Sequence, residues 1–156
     1  MICRFLLLAE WSRIRERDNN MSASIEVKVR YSETDRMGIA HHAQYYVWFE
    51  EARTELFRMT GYSYREMEQK GLLLPVIETQ CKYKKAVTYD DDIVVTAKLS
   101  EFKGATMVIT YNIVKKDTGD NIAEGMTKHG CVNKEMKPIR LKKVFPEIAE
   151  GFERGM

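Results

Sequence analysis

A carboxylate and two adjacent histidines lie close together in the first third of this chain. Asp35 stands in a short loop that leads to His41 and His42, and Gly38 between them lets the backbone bend sharply. The residues that follow have helical spacing, so unpaired N–H groups of a helix start would lie beside this carboxylate. A carboxylate that attacks or activates water, with amides that stabilise an oxyanion, suits acyl transfer. Spacing alone leaves a second interpretation, because Asp before a helix is often only a cap or turn residue.

The segment after the histidines has the period of one long helix, from about His41 to Met59. Its apolar stripe consists of Tyr45, Trp48, Phe49, Ala52, Leu56 and Met59. Gly61 stands where a C-terminal stop is expected. Glu50 and Arg53 lie three residues apart on the polar face and can pair with each other. They can equally tie the helix to neighbouring backbone or to a second subunit.

Strand and turn signals surround this helix. Alternation over residues 25–31 predicts one strand, and Ser63 with Glu66 forms a capping box for a short second helix that closes at Gly71. Four later runs predict long strands joined by short turns: residues 72–87, 93–102, 105–116 and 121–138. This order predicts an antiparallel meander. We expect the sheet to wrap around the apolar stripe of the long helix.

Composition places the chain among ordinary globular proteins. Its 156 residues fit one compact domain, and 44% hydrophobic with 31% charged residues argue against disorder. A formal net charge of +2 gives no basic excess for binding nucleic acid. Three widely spaced cysteines argue against a disulfide framework or a zinc site. They favour a reducing compartment, so we expect a cytoplasmic protein, and no integral membrane segment is predicted.

Residues 1–20 differ from the rest of the chain. Their apolar run is too short to span a bilayer, and its positive charges follow the run, which is the reverse of a secretory signal. Four apolar residues share one helical face, so an amphipathic flap is one interpretation: Leu7, Leu8, Trp11 and Ile14. We favour an N-terminal extension outside the functional domain, followed by a single domain over residues 21–156.

The stretch "YSETDRMGIAHHAQYYVWFEEART", residues 31–54, resembles the motif of the 4-hydroxybenzoyl-CoA thioesterase-like acyl-CoA thioesterases. The family pattern runs Y-x-x-T-D-x-x-G-x-x-x-H-x-x-Y, then E-x-A-R. The matching residues are Tyr31, Thr34, Asp35, Gly38, His42, Tyr45, Glu50, Ala52 and Arg53. The resemblance implies the α+β hotdog fold, in which an antiparallel β-sheet wraps around one long central α-helix. It also implies subunits that join their sheets in a homodimer or homotetramer.

By that resemblance the chain hydrolyses the thioester bond of acyl-CoA to a free acid and coenzyme A, without a metal or redox cofactor. Asp35 is then the catalytic carboxylate, as nucleophile or general base. His42 stands at the helix start whose backbone N–H polarises the thioester carbonyl, and its side chain helps to position water or substrate. Gly38, Tyr45 and Glu50 are expected to bind the substrate.

Two basic clusters are candidates for the phosphates of coenzyme A at a subunit edge. Lys84 and Lys85, with Lys82 in the same run, form the first. The second lies near the C-terminus and consists of Lys137, Arg140, Lys142 and Lys143. Each of these residues can equally be a solvated surface charge.

The sequence departs from the family pattern in two places. Ala40 and His41 stand where an aliphatic and an aromatic residue are more usual, and Ala86 with Val87 where a proline is common. These differences leave the acyl group open. Two other interpretations remain: an acyl-CoA-binding module without turnover, and a dehydratase or hydratase of the same fold. The last needs a different histidine motif with a nearby Pro-Gly, which does not follow His42.

Overall fold

The computed structural model describes residues 21–156, in which an antiparallel five-stranded sheet packs against one long helix. The strands are β1 (Ser22–Lys28), β2 (Val76–Tyr83), β3 (Asp92–Phe102), β4 (Thr106–Lys115) and β5 (Asn121–Gly130), and the helices are α1 (His42–Arg58), α2 (Tyr64–Lys70), α3 (Leu141–Val144) and α4 (Pro146–Glu153). The predicted extension and flap over residues 1–20 lie outside this range. No helix within it is long and apolar enough to cross a membrane.

Helix α1 packs on the sheet through the stripe that the sequence predicts. The buried members of that stripe are Tyr45, Trp48, Phe49, Ala52 and Leu56. Phe49 stacks on Tyr111 of β4 with ring centroids 4.2 Å apart. The prediction is wrong at Met59, which is 53% exposed, because this residue caps the helix at its C-terminus, outside the packed turns. Phe57 is buried instead.

Gly125 of β5 lets the ring of Phe49 approach the sheet closely. A Cβ atom at this position would lie 2.5 Å from two ring atoms of Phe49. Real non-bonded carbons are separated by about 3.5–4.0 Å. Any larger residue at position 125 would therefore push Phe49, and with it α1, away from the sheet.

The predicted meander is only partly right. The strands follow the order β1-β3-β4-β5-β2, so β3, β4 and β5 are consecutive neighbours, but β2 pairs with β5. Strand β3 has β4 on one side and β1 on the other, so β2 cannot pair with it. The open edge of β5 is the remaining place for β2. The first and last of the later strands are also shorter than predicted, because β2 begins at Val76 and β5 ends at Gly130.

Strand β2 forms an uncovered edge of the sheet. Seven of its eight residues are exposed, and Cys81 is half-buried. Val76 and Ile77 are 48% and 56% exposed. Most of this strand therefore lacks a covering layer among the described residues. An exposed strand edge of this kind carries unpaired backbone groups that another chain can pair with.

The capping box of α2 is confirmed. The Ser63 hydroxyl accepts a hydrogen bond from the Glu66 N–H at 3.3 Å, and the Glu66 carboxylate accepts one from the Ser63 N–H at 2.7 Å. Gly71 closes the helix in the left-handed conformation, with φ of 98°.

Two C-terminal helices, α3 and α4, were not predicted from the sequence. Phe152 of α4 contacts Phe57 of α1 and Phe102 of β3, with ring centroids 5.7 and 5.6 Å apart. The N–H of Met21 donates a hydrogen bond to the carbonyl of Gly155. Helix α4 thus covers one end of the core, and the residues after it meet the start of the described segment.

Candidate active site

Asp35 lies in a tight loop between a 3-10 turn, Tyr31–Glu33, and the start of α1. Its N–H donates to the Ile39 carbonyl and its own carbonyl accepts from the Gly38 N–H, both at 2.9 Å. Its Oδ1 atom accepts from the Met37 N–H at 2.7 Å. Asp35 is therefore a turn residue, as one interpretation held. Its second carboxylate oxygen takes no hydrogen bond from the described residues.

The conformation of this loop depends on Gly38. Its φ of 79° lies in the left-handed region, which glycine adopts without a steric penalty. The loop ends in a pair of bridging contacts, Thr34 with Ala40 and Ile39 with Thr88. Gly38 therefore shapes the turn that holds the Asp35 carboxylate, and it does not itself line the adjoining cleft.

The Asp35 loop and the start of α1 border one open cleft of about 240 Å³. The residues that line this Asp35 cleft are Asp35, Met37, Ile39, Ala40, His42, Tyr45, Tyr83, Lys84, Lys85 and Ala86. Five of the seven site residues named from the sequence are thus together: Asp35, His42, Tyr45, Lys84 and Lys85. The fold brings a loop, a helix start and the end of β2 to a common space.

Glu50 lies elsewhere in the protomer. It lines a second cleft, of about 320 Å³, between β1 and the exposed face of α1. The pair expected between Glu50 and Arg53 is wrong, because the Nη1 atom of Arg53 donates to the Tyr111 hydroxyl at 3.1 Å. Arg53 is half-buried against β4, whereas Glu50 stays exposed. One protomer therefore does not bring Glu50 to the Asp35 cleft.

His41 and His42 have different positions at the start of α1. The Nδ1 atom of His41 accepts a hydrogen bond from the Ala43 N–H, which makes His41 the N-cap of the helix. The side chain of His42 is exposed and lines the cleft. Among residues 21–156 the N–H of His42 has no hydrogen-bond acceptor. The positive end of the helix thus leaves one free donor at a residue of the cleft.

Tyr45 and Tyr83 form an aromatic wall of the cleft. Their rings are nearly perpendicular, with centroids 4.8 Å apart. The Tyr83 hydroxyl donates to the His42 carbonyl at 3.4 Å. Burial raises the pKa of both phenols, and the nearby Cys81 adds to the effect, so both stay neutral at physiological pH. Sequence reasoning missed Tyr83, because a strand far along the chain carries it to the helix start.

Lys84 and Lys85 each have a carboxylate partner. Lys84 pairs with Glu124, and the Nζ atom of Lys85 lies 2.6 Å from the Oδ1 atom of Asp120. Both are exposed ion pairs, which contribute little and exchange partners readily. The lysines can therefore turn to an anionic ligand at modest cost. The second basic cluster does not line the cleft.

The wall that carries these lysines is fixed by Asp91. Its carboxylate accepts a hydrogen bond from the Thr88 N–H at 2.8 Å and pairs with Lys115 at 2.9 Å. Burial works against ionisation, yet the hydrogen bonds from Thr88 and Lys115 hold the pKa of Asp91 below its usual value. The Val87 carbonyl accepts from the Ala40 N–H at 2.8 Å, which joins this wall to the Asp35 loop.

An antiparallel sheet packed on one long helix is the architecture of the hotdog-fold thioesterases. The chain belongs to the thioesterase-like superfamily, which matches residues 29–152. It is 39% identical to YneP of Bacillus subtilis over 83% of this chain and 94% of that protein, whose acyl-CoA thioesterase activity is a provisional assignment. The acyl-CoA thioesterase YbgC of Haemophilus influenzae is 31% identical over 77% of this chain and 88% of its own length.

Solved structures agree with the sequence relatives. The DHNA-CoA thioesterase of Staphylococcus aureus is 32% identical, with a TM-score of 0.81 over 85% of this chain and 89% of that one. The predicted α+β hotdog fold and the predicted family are both confirmed.

Proposed function

We propose that this chain is an acyl-CoA thioesterase that hydrolyses acyl-CoA to a free acid and coenzyme A in the Asp35 cleft. One observation carries the proposal: the same cleft is lined by Asp35 and His42. Among the described residues, one carboxylate oxygen of Asp35 accepts no hydrogen bond and the helix-start N–H of His42 has no acceptor. Family membership and the activity named for YbgC support the same reaction class.

The proposed reaction uses the two groups on opposite sides of one carbonyl. The carbonyl oxygen of the thioester accepts a hydrogen bond from the His42 N–H, and this bond stabilises the negative charge that develops on the oxygen during attack. The free oxygen of Asp35 either attacks the carbonyl carbon directly or removes a proton from the attacking water. In both routes the C–S bond breaks, coenzyme A leaves as a thiol after taking up a proton, and one water is consumed overall. Direct attack passes through an acyl-aspartyl anhydride, which water then cleaves.

Asp35→Asn tests the proposal with little change of structure. The amide oxygen of Asn still accepts the Met37 N–H, so the loop keeps its turn, but the nucleophile or base is lost. Thiol release from a panel of acyl-CoA esters should fall by about 10²- to 10⁴-fold. The matched control is Asp117→Asn, an exposed carboxylate outside the cleft.

Two outcomes would contradict the proposal. Full turnover by a folded Asp35→Asn variant would remove Asp35 from the chemistry. Thermal stabilisation of the unmodified chain by acyl-CoA, with no thiol released from any ester, would instead favour the binding module without turnover. The panel also reports the acyl preference, since aromatic and aliphatic esters are compared in one assay.

The uncovered edge supports a homodimer, which we propose forms through β2. A mostly exposed eight-residue strand with an unpaired edge is rarely left open in natural proteins. Pairing of two copies would extend the sheet across both subunits. Tyr83 ends this strand and lines the cleft, so the partner copy would lie beside the proposed site.

A further inference from the structure

Glu33 is a carboxylate buried where the Asp35 loop meets α1. Its side chain is 3% exposed, and it stands two residues before Asp35. The Oε2 atom accepts the Arg30 N–H at 2.7 Å, and the Oε1 atom accepts from Arg30 Nη2 at 2.9 Å. The Oε1 atom also accepts from Trp48 Nε1 at 3.2 Å. Trp48 is fully buried in the second turn of α1, so this carboxylate ties the loop to the body of the helix.

The backbone of Glu33 makes a second connection to the same helix. Its carbonyl accepts the His41 N–H at 2.8 Å. His41 precedes His42, whose N–H is the proposed oxyanion donor. Glu33 therefore connects both halves of the proposed site: it stands two residues before Asp35 in the same loop, and it is hydrogen-bonded to His41 and Trp48 of the helix.

The charge of Glu33 is held in place by its donors. Burial acts to raise its pKa, but the hydrogen bonds from Arg30 and Trp48 outweigh burial and keep the pKa of Glu33 below its usual value. A neutral amide at this position would direct its NH₂ group at one of these donors and leave that donor unpaired. Glu33→Gln therefore keeps the shape of the side chain but breaks the Glu33 clamp, meaning its hydrogen bonds with Arg30 and Trp48.

We infer that Glu33 is a positioning residue for the proposed thioesterase reaction and that it sets the distance between the Asp35 carboxylate and the His42 N–H. This inference rests on the proposed function. Glu33 does not line the cleft and cannot touch the substrate from its buried position. Its effect on turnover passes through geometry, since a misplacement of about 1 Å in a catalytic pair can cost about 10²-fold in rate.

Glu33→Gln and Glu66→Gln form a matched pair for the test. Both glutamates accept a backbone N–H three residues earlier at 2.7 Å, but Glu66 lies on α2, outside the cleft. Glu33→Gln should lower kcat by about 10- to 100-fold and leave KM within about twofold. Glu66→Gln should leave both constants unchanged. Trp48→Phe keeps an aromatic ring and removes a single donor, so a smaller loss of kcat is expected.

Hydrogen exchange separates positioning from stability. Amides of residues 34–42 should exchange faster in Glu33→Gln, and the Trp48 indole N–H resonance should shift, while exchange in the sheet is unchanged. Wild-type kcat in Glu33→Gln, with only a lower Tm, would overturn the inference. If Glu33→Gln does not fold, unchanged kcat in Trp48→Phe overturns it instead. If the unmodified chain releases no thiol, the proposed function fails, and unchanged exchange over residues 34–42 would reject the clamp independently.

Discussion

The Nδ1 atom of His41 lies 3.2 Å from the backbone nitrogen of Ala43, while the ring of His42, whose centroid lies 4.2 Å from that of the His41 ring, belongs to a residue that lines the cleft. Two adjacent histidines thus have separate tasks. His41 satisfies one of the unpaired donors of α1 with its side chain. The N–H of His42 has no acceptor within residues 21–156.

His41→Ala should destabilise the protein by about 1 kcal/mol, because the helix loses its N-cap acceptor. His41→Asn should recover most of this free energy, since Asn is among the preferred N-cap residues. Urea unfolding of the three proteins measures the difference. Equal stability of the Ala and Asn variants would show that the 3.2 Å contact does not cap the helix.

His42→Pro should remove the proposed oxyanion donor with little damage to the helix. Proline is favoured at the first helical position, and His41 before it is extended, with ψ of 137°, as proline requires. The loss of one oxyanion-hole donor costs about 10²- to 10³-fold in kcat. His42→Ala keeps the N–H and should lose much less. If both variants lose the same large factor in kcat relative to the unmodified protein, the role of residue 42 belongs to its side chain and not to its N–H.

Buried His129 should make the fold sensitive to mild acid. Its Nδ1 lies 2.9 Å from the Leu74 carbonyl and must donate, so its Nε2 accepts from Thr127 at 2.8 Å. Burial lowers the pKa of His129 to about 4, with Arg53 adding to the effect. Below about pH 6.5 the unfolded chain takes up a proton that the folded chain refuses, so stability falls by about 3 kcal/mol between pH 6.5 and 4.

Urea unfolding at pH 7 and pH 4.5 measures this loss in the unmodified protein and in His129→Gln. The variant should be less stable at pH 7, yet its free energy of unfolding should fall less between the two pH values. Carboxylates contribute equally to both proteins and cancel in the comparison. Identical pH dependence in both proteins would show that His129 is not the group that titrates.

Ile77→Lys should weaken the proposed dimer. It places a charge on the exposed edge strand β2, where Ile77 is 56% exposed, and this charge would lose its contact with water if a second copy paired there. Val144→Lys is the control, since Val144 lies on α3 and is 49% exposed. Light scattering after size exclusion should give a dimer for the unmodified protein and the control, and a monomer for Ile77→Lys. A monomeric unmodified protein would reject the interface.

Local signals in the sequence predicted the parts of the fold that depend on neighbours along the chain. The period of α1, the capping box at Ser63 and the turn at Gly38 each involve residues within a few positions. The Asp35 loop and the helix start were found for the same reason. The acyl-transfer hypothesis followed from this proximity and from the family resemblance.

Long-range contacts decided what the sequence did not predict. The place of β2 beside β5 depends on which sheet edge is free after β1 has paired. Tyr83 reaches the site through that placement. The R-x-x-E spacing of Arg30 and Glu33 was a visible signal for a local clamp, but the burial of Glu33 depends on Trp48. Helix α4 is short, and its packing depends on Phe57 and Phe102.

The hydrogen bond between Met21 and Gly155 makes this domain a suitable scaffold for circular permutation. Strand β1 runs from this junction toward the Asp35 loop and covers about 23 Å, at about 3.3 Å per residue. In a chain shortened to begin at Met21, a short peptide joining the two ends would therefore lie far from the cleft. New ends could be opened at the exposed turn that precedes β5, around Gly119. A support attached at the junction would hold the protein with its cleft facing the solution.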